Sequence, residues 1–323
     1  MEAFRKDSMV VFIGDSITYA NNFVSRIFAY YLENFPELHV RFTNAGISGG
    51  TAASALLYLD ESLAENPDYA VITLGVNDSE FYRLTKGESP ERNAALERAL
   101  ERYSDGIEKL IGEFDRRNVM CILCTPAPYA EFYETGKKPC RGAHALLLMY
   151  AERIRELAAR HCLPVVDFHA NLSELYLDER LYLSDHIHPN NAGQARMAEC
   201  FLKAQGLPVR RIIPGEKPFA VPSCLSKWKF LVRRYRMLYD LEWLLFRTHD
   251  KKALDTGEKL KIVRSYLDDK GYGDFMYYKA IAKAYIENKP REAELKRNIE
   301  IETDRLYLSA CAQKQEESTG VCK

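Results

Sequence analysis

"MVVFIGDSIT", residues 9–18, is an apolar run that stops at a glycine, an acid and a hydroxyl. Met9 to Ile13 have the continuous apolar character of a strand buried on both faces, and Gly14 breaks it so that Asp15 and Ser16 stand in a turn leading into a helix. Such a strand belongs in a parallel sheet, which helices cover on both sides. The next two hundred residues repeat the pattern. His39–Gly46 (HVRFTNAG), Asp68–Asp78 (DYAVITLGVND), Asn118–Pro128 (NVMCILCTPAP) and Leu163–His169 (LPVVDFH) are short apolar runs ending in or near Gly, Pro, Asn or Asp. Helical spacing lies between them, notably over Asn93–Arg116, Ala143–His161 and Asn191–Ala204. The alternation predicts an α/β fold with right-handed crossovers, whose functional groups gather at the carboxyl ends of the strands.

The pattern changes at "LPVRRIIPGEKPFAVPSC", where Pro208, Pro214, Pro218 and Pro222 exclude a long helix. The expected organisation is a domain over 1–207, a Pro-rich linker over 208–225 and a helical region over 226–323. In the last, Leu231, Tyr235, Leu238, Leu241 and Leu245 share a face. Further helices are expected around Lys259–Leu267 and Asp274–Glu287, and the polar tail from Ala312 is expected to be disordered. With 47% hydrophobic residues and a net charge of -1 over 323 residues, the chain has ample core material and no charge excess pointing to nucleic acid. No run approaches the roughly 18 apolar residues of a membrane span, and no leader precedes the first strand, so a cytoplasmic location is expected. The eight cysteines are scattered and read as free thiols. Cys121 and Cys124, three apart on a strand, point to opposite faces and suit a core better than a metal or redox site. His39, His144, His161, His169 and His249 are dispersed and no phosphate-cradling glycine motif is present, so no metal and no cofactor are expected.

Ser16 gains meaning from three other strand ends. "NAGISGGTA" (Asn44–Ala52) is a glycine-rich turn able to bare backbone N–H groups, "LGVND" brings Asn77, and "LSDHIHPNNAG" (Leu183–Gly193) sets Asp185 three residues before His188. Serine, histidine and aspartate together can make a nucleophile. Each piece also has a plainer use. Ser16 or Asp15 can cap the following helix, Gly46 and Gly50 can permit tight turns, and Asp78 can accept bonds in its own turn. Asp185 can instead pair with His186 or cap the helix near Asn190, and His186 itself reads as a loop side chain.

This ordered set resembles the SGNH, or GDSL-type, hydrolases over roughly residues 8–205. "GDSI" carries isoleucine where that family's first block has leucine; "GISGGT", "GVND" and "DHIHPN" match the other three blocks. The resemblance implies a flavodoxin-like three-layer α/β/α fold with a five-stranded parallel sheet. It also implies a carboxylic ester hydrolase in which Ser16 is the nucleophile, His188 the general base and Asp185 its orienting partner. The oxyanion hole would comprise the backbone N–H groups of Ser16 and Gly49 and the side-chain amide of Asn77, with Gly50 a competing donor.

The expected substrate is a small ester, through removal of a short acyl group such as acetyl from a carbohydrate. The loops "SEFYRLTKGESPER" and "PAPYAEFYETGKKPCRG" leave the same sheet edge, offering Phe81, Tyr82 and Tyr129 as substrate-binding aromatics with Phe132 and Tyr133 nearby; alternatively they pack among themselves. Arg83, Lys137, Lys138 and Arg141 can attract an anion. The stretch "KWKFLVRRYRMLYDLEWLLFR" combines basic residues with an apolar stripe. It can pack as a helical domain or mediate a homo-oligomer, or it can dock on an anionic membrane, which would favour a lysophospholipase or thioesterase-like activity on lipids. Acyl transfer to an alcohol uses the same residues, and an inactive scaffold is the remaining alternative.

Overall fold

The computed structural model describes residues 1–132, 137–175, 180–209, 223–249 and 283–318, with 258, 261 and 264 singly; in the helix that ends at His249 the side chains are described to Leu238. Two compact units emerge, Met1–Pro222 with Ala310–Lys323, and Ser223–Ser309.

The first unit is built on five parallel strands, β1 (Met9–Gly14), β2 (Arg41–Gly46), β3 (Tyr69–Thr73), β4 (Met120–Cys124) and β5 (Val165–Val166), in the order β2-β1-β3-β4-β5. That order reverses direction at β1, so the crevice between the carboxyl ends of β1 and β3 is where such a sheet takes a ligand. The helices are α1 (Ser16–Tyr19), α2 (Asn22–Asn34), α3 (Ala52–Leu57), α4 (Leu59–Ser62), α5 (Pro90–Arg116), α6 (Ala143–Arg160), α7 (Phe168–Leu175) and α8 (Asn191–Ala204). Period-two alternation divides β1 between two cores. Val11 and Ile13 join Tyr103, Ile107 and Phe114 of α5 and Tyr150 and Ile154 of α6. Phe12 instead meets an aromatic layer, 5.7 Å from Phe23 of α2 and 5.7 Å from Phe201 of α8, with Phe168 of α7 6.0 Å from Phe23. Each such buried ring contributes about 2 kcal/mol, which makes these layers the main tie between helices and sheet.

Glycine is required where β1 ends. A Cβ on Gly14 would lie 2.2 Å from both Thr18 Oγ1 and Thr73 Oγ1, two hydroxyls that hydrogen-bond each other across the spot. Gly14 pairs with Gly46 on its other side, where a Cβ on Gly46 would lie 2.4 Å from the Tyr19 backbone nitrogen. The turn carrying Ser16 can therefore fold back tightly over the sheet edge.

Two expectations about element ends are corrected. Leu163–His169 is not strand throughout: β5 holds only Val165 and Val166, and α7 starts at Phe168. Asp167 causes the switch, since its Oδ1 accepts the Ala170 N–H at 3.0 Å in the manner of a helix cap while Arg155 holds both its oxygens at 2.7 and 3.0 Å. The polar tail, in turn, is helical as far as Ser318, within a helix that begins at Glu292. Ala, Gln, Lys and Glu without glycine or proline favour helix even where the stretch is polar.

In the second unit, α9 (Ser226–His249) buries Trp228, Leu231, Val232, Tyr235 and Leu238, so the expected stripe is covered as far as it is described. Lys227 pairs at 2.8 Å with the buried Glu302, which also binds Arg305, and Lys296 lies 5.6 Å over the Tyr235 ring. The side chains of Leu241 and Leu245, the linker from 210 to 222 and most of the helices expected at Lys259–Leu267 and Asp274–Glu287 lie outside the described residues; 283–288 is helical. Among the described residues no helix is long and apolar enough to cross a membrane.

Candidate active site

Ser16 is the first residue of α1, directly beyond β1. Asp15 is the cap: its Oδ1 accepts the Ile17 N–H at 2.9 Å, which leaves the Ser16 hydroxyl free for another partner. That partner is His188, whose Nε2 lies 2.8 Å from Ser16 Oγ across 172 residues of sequence. On the far side of the ring, His188 Nδ1 lies 2.8 Å from Asp185 Oδ2. A carboxylate can only accept, so Nδ1 carries the proton and the Nε2 lone pair faces the serine hydroxyl. Asp185 does not pair with His186, and it does not cap α8, which Asn190 caps by accepting the Ala192 and Gly193 N–H groups. Its Oδ1 instead accepts the backbone N–H groups of Ile187 and His188 at 3.1 and 3.0 Å. Burial acts to raise the Asp185 carboxyl, but these bonds and the His188 ring bring it below the ordinary carboxylate range.

The glycine-rich turn is pinned to the same edge. Ile47 N–H donates to Gly14 O at 2.9 Å, and Gly50 N–H donates back to Ile47 O at 2.8 Å. Gly50 is thus committed within the turn, which separates it from Gly49. Gly49 stands at φ +76°, in the left-handed region that suits glycine, and among the described residues its N–H, like that of Ser16, has no partner. Asn77 reaches across from the end of β3, one amide hydrogen donated to Gly50 O at 3.0 Å and the second available. Three donors from three strand ends therefore stand at the crevice between β1 and β3.

Beneath them lie two buried carboxyls. Asp78 Oδ1 accepts the Ala52 N–H at 2.9 Å, the first N–H of α3 after its Thr51 cap, while Oδ2 has no hydrogen-bond partner among the described residues. Burial, reinforced by Asp15 and only partly offset by the Ala52 bond, pushes Asp78 up to about 7. Burial likewise pushes Asp15 up to about 6 against the opposing effects of the Ile17 bond and His188.

The loop aromatics divide. Tyr129 was expected at the substrate, but it is only 3% exposed, its hydroxyl accepting the Cys140 N–H at 2.9 Å and its ring 5.5 Å from Phe81. A ring so enclosed serves the loop's own packing. Phe81 is half-buried against the core, whereas Tyr82 is 53% exposed under the Arg83 guanidinium. Tyr133 lies outside the described residues. His186 is a loop side chain, as expected, and not a second base, but it is buried at 1% exposure with both ring nitrogens on backbone carbonyls. Nothing in the sequence marks it, because its partners are main-chain atoms about fifty residues away. The described cysteines are free, with burial pushing Cys121 up to about 12. No group of three or more His, Cys, Asp or Glu among the described residues is placed to hold a metal ion.

A family model for GDSL-like lipases and acylhydrolases matches residues 12–196. Acetylxylan esterase from Geobacillus stearothermophilus is 26% identical over 219 residues, which are 61% of this chain and 93% of that protein. A crystal structure of an acetylxylan esterase from the same organism aligns with a TM-score of 0.52 at 23% identity, covering 64% of this chain and 99% of that one. Over 96% of both chains the fold is similar to that of a gut microbial diltiazem-metabolizing enzyme, with a TM-score of 0.77 and 17% identity.

Proposed function

Because the chain belongs to the GDSL-like lipase/acylhydrolase family and is a carboxylic ester hydrolase, we propose that Ser16 is its nucleophile and that it removes a short acyl group, acetyl, from a carbohydrate. The observation that carries the mechanism is the continuous relay from Ser16 Oγ through His188 to Asp185, with 2.8 Å at each step. His188 Nε2 takes the hydroxyl proton as Oγ attacks the ester carbonyl. The carbonyl oxygen becomes an oxyanion, met by the N–H groups of Ser16 and Gly49 and the free amide hydrogen of Asn77. Collapse expels the alcohol, which takes the proton from His188 and leaves an acyl-serine. Water, deprotonated by the same nitrogen, attacks that ester and releases the acid.

Two points support the acetyl-carbohydrate assignment. The 26%-identical relative is an acetylxylan esterase, and Tyr82 offers an exposed ring in the loop that follows Asn77. The test is a rate comparison across p-nitrophenyl esters from acetate to octanoate, followed by acetylated xylo-oligosaccharides. Acetate should be fastest, with acetic acid released from the sugar. A preference for octanoate would point to lipid substrates, and turnover only in the presence of an added alcohol would point to acyl transfer.

Asn77→Ala should lower kcat by about 10² to 10³ with a small change in KM, since the amide bonds the oxygen most strongly when that oxygen is charged. Steady-state kinetics on the acetate ester checks this. An equal fall in kcat and rise in KM would show instead that loss of the Gly50 strut has deformed the site.

A further inference from the structure

The turn that carries Asp185 and His188 is shaped by its own bonds. Leu183 N–H donates to His188 O at 2.9 Å, His186 N–H donates to Leu183 O at 3.1 Å, and Asp185 Oδ1 takes the two N–H groups already described. These bonds set the shape of the turn but not its place over Ser16. His186 supplies a link to the loop after β4. Its carbonyl accepts the Ala130 N–H at 2.9 Å and its Nδ1 lies 2.8 Å from Ala130 O, so the two residues are joined twice. Its Nε2 lies 2.9 Å from Lys137 O, and its ring stacks on Tyr129 with centroids 5.7 Å apart and planes 16° apart. Carbonyl oxygens only accept, so either neutral form of the ring donates to one of them and the doubly protonated ring to both.

The backbone supports the same conclusion. His186 stands at φ +66°, in the left-handed region, a conformation uncommon for a non-glycine residue. Its side chain is enclosed, whereas those of Asp185 and His188 remain 36% and 40% exposed. The turn therefore holds two groups at the site and anchors itself by the third.

Building on the assignment of Ser16, His188 and Asp185 as the catalytic relay, we propose that His186 is a positioning residue: it bolts the turn bearing the catalytic pair to the loop after β4 and so sets the distance of His188 from Ser16. Displacing a catalytic group by about 1 Å is enough to lose on the order of 10²-fold in rate.

Three variants test this. His186→Gly suits the backbone angle and leaves an imidazole-shaped gap between Ala130, Lys137 and Tyr129. His186→Phe fills the gap with a ring that cannot donate. His186→Asn tolerates the angle and keeps a donor group, its amide NH₂. On p-nitrophenyl acetate, His186→Gly should lose about 10- to 100-fold in kcat with KM nearly unchanged, and added imidazole should restore most of it. His186→Phe should be as slow and insensitive to imidazole, and His186→Asn should fall between. A second readout needs no turnover: the low-field proton resonance of His188 Nδ1–H against Asp185 should weaken in His186→Gly and return with imidazole. Folded glycine and phenylalanine variants that keep kcat within twofold of wild type would overturn the proposal, as would a glycine variant whose loss imidazole does not reverse. If wild type itself proved inert on every ester, the assignment of the relay would fail. The resonance would still decide for or against His186, an unchanged signal in the glycine variant counting against it.

Discussion

Ser16→Ala should abolish ester hydrolysis, with a fall in kcat on the order of 10⁴-fold or more, while the protein stays folded. The separation of these effects follows from where the bonds lie. The helix start is capped by Asp15, and the hydroxyl of Ser16 bonds His188. Removing the hydroxyl therefore deletes the proposed attacking atom and leaves the helix cap, the glycine contacts of the turn and the proposed oxyanion donors in place. Thermal unfolding should move little, and the acetate ester should show no burst of p-nitrophenol. A variant that kept more than about one part in a hundred of wild-type activity would place the nucleophile elsewhere, because no general-base or oxyanion contribution survives at that level without it.

Asp185→Asn should cost almost as much, about 10³ to 10⁴ in kcat, for a reason specific to this carboxylate. Asp185 accepts three bonds, two backbone N–H groups on Oδ1 and the His188 ring on Oδ2. An amide has one accepting oxygen. If that oxygen keeps the two backbone bonds, the NH₂ group faces His188 Nδ1 and forces the other tautomer, in which Nε2 carries the proton and cannot take one from Ser16. If the amide flips, the NH₂ group meets two backbone N–H groups and the turn is disrupted. Kinetics and thermal unfolding together tell the two apart, since the first outcome leaves the unfolding temperature near wild type. An asparagine variant within tenfold of wild-type kcat would remove Asp185 from the relay.

Much of this arrangement is legible in the residues themselves, for physical reasons. A strand buried on both faces must be apolar throughout, so Met9–Ile13 announces a parallel sheet and Gly14 announces its end. The parallel sheet then directs attention to the carboxyl ends of its strands, where Ser16 and Asn77 lie; that the ends of β1 and β3 adjoin is seen only in the fold. Burial is less legible where a side chain has two plausible homes. Tyr129 suits a sugar platform and a loop core equally in composition, and only the fold shows its hydroxyl engaged by Cys140. The run Leu163–His169 is apolar enough for a strand, yet Asp167 starts a helix within it, because a cap acts through local hydrogen bonds that periodicity does not register. Gly49 and Gly50 are distinguishable only once Gly50 is seen bonded to Ile47. His186 leaves no trace at all, since its partners are carbonyl groups that any residue could supply.

The relay between Ser16 and His188 spans 172 residues, from the first strand to beyond the fifth. On a ribosome adding roughly 5 to 20 residues per second, the serine waits on the order of ten to thirty seconds for its base to be made. Throughout that interval the growing polypeptide contains a hydroxyl with nothing to deprotonate it. On the proposed assignment of the relay, hydrolysis has to await synthesis of the segment that carries His188, because nucleophile and base lie far apart in the sequence.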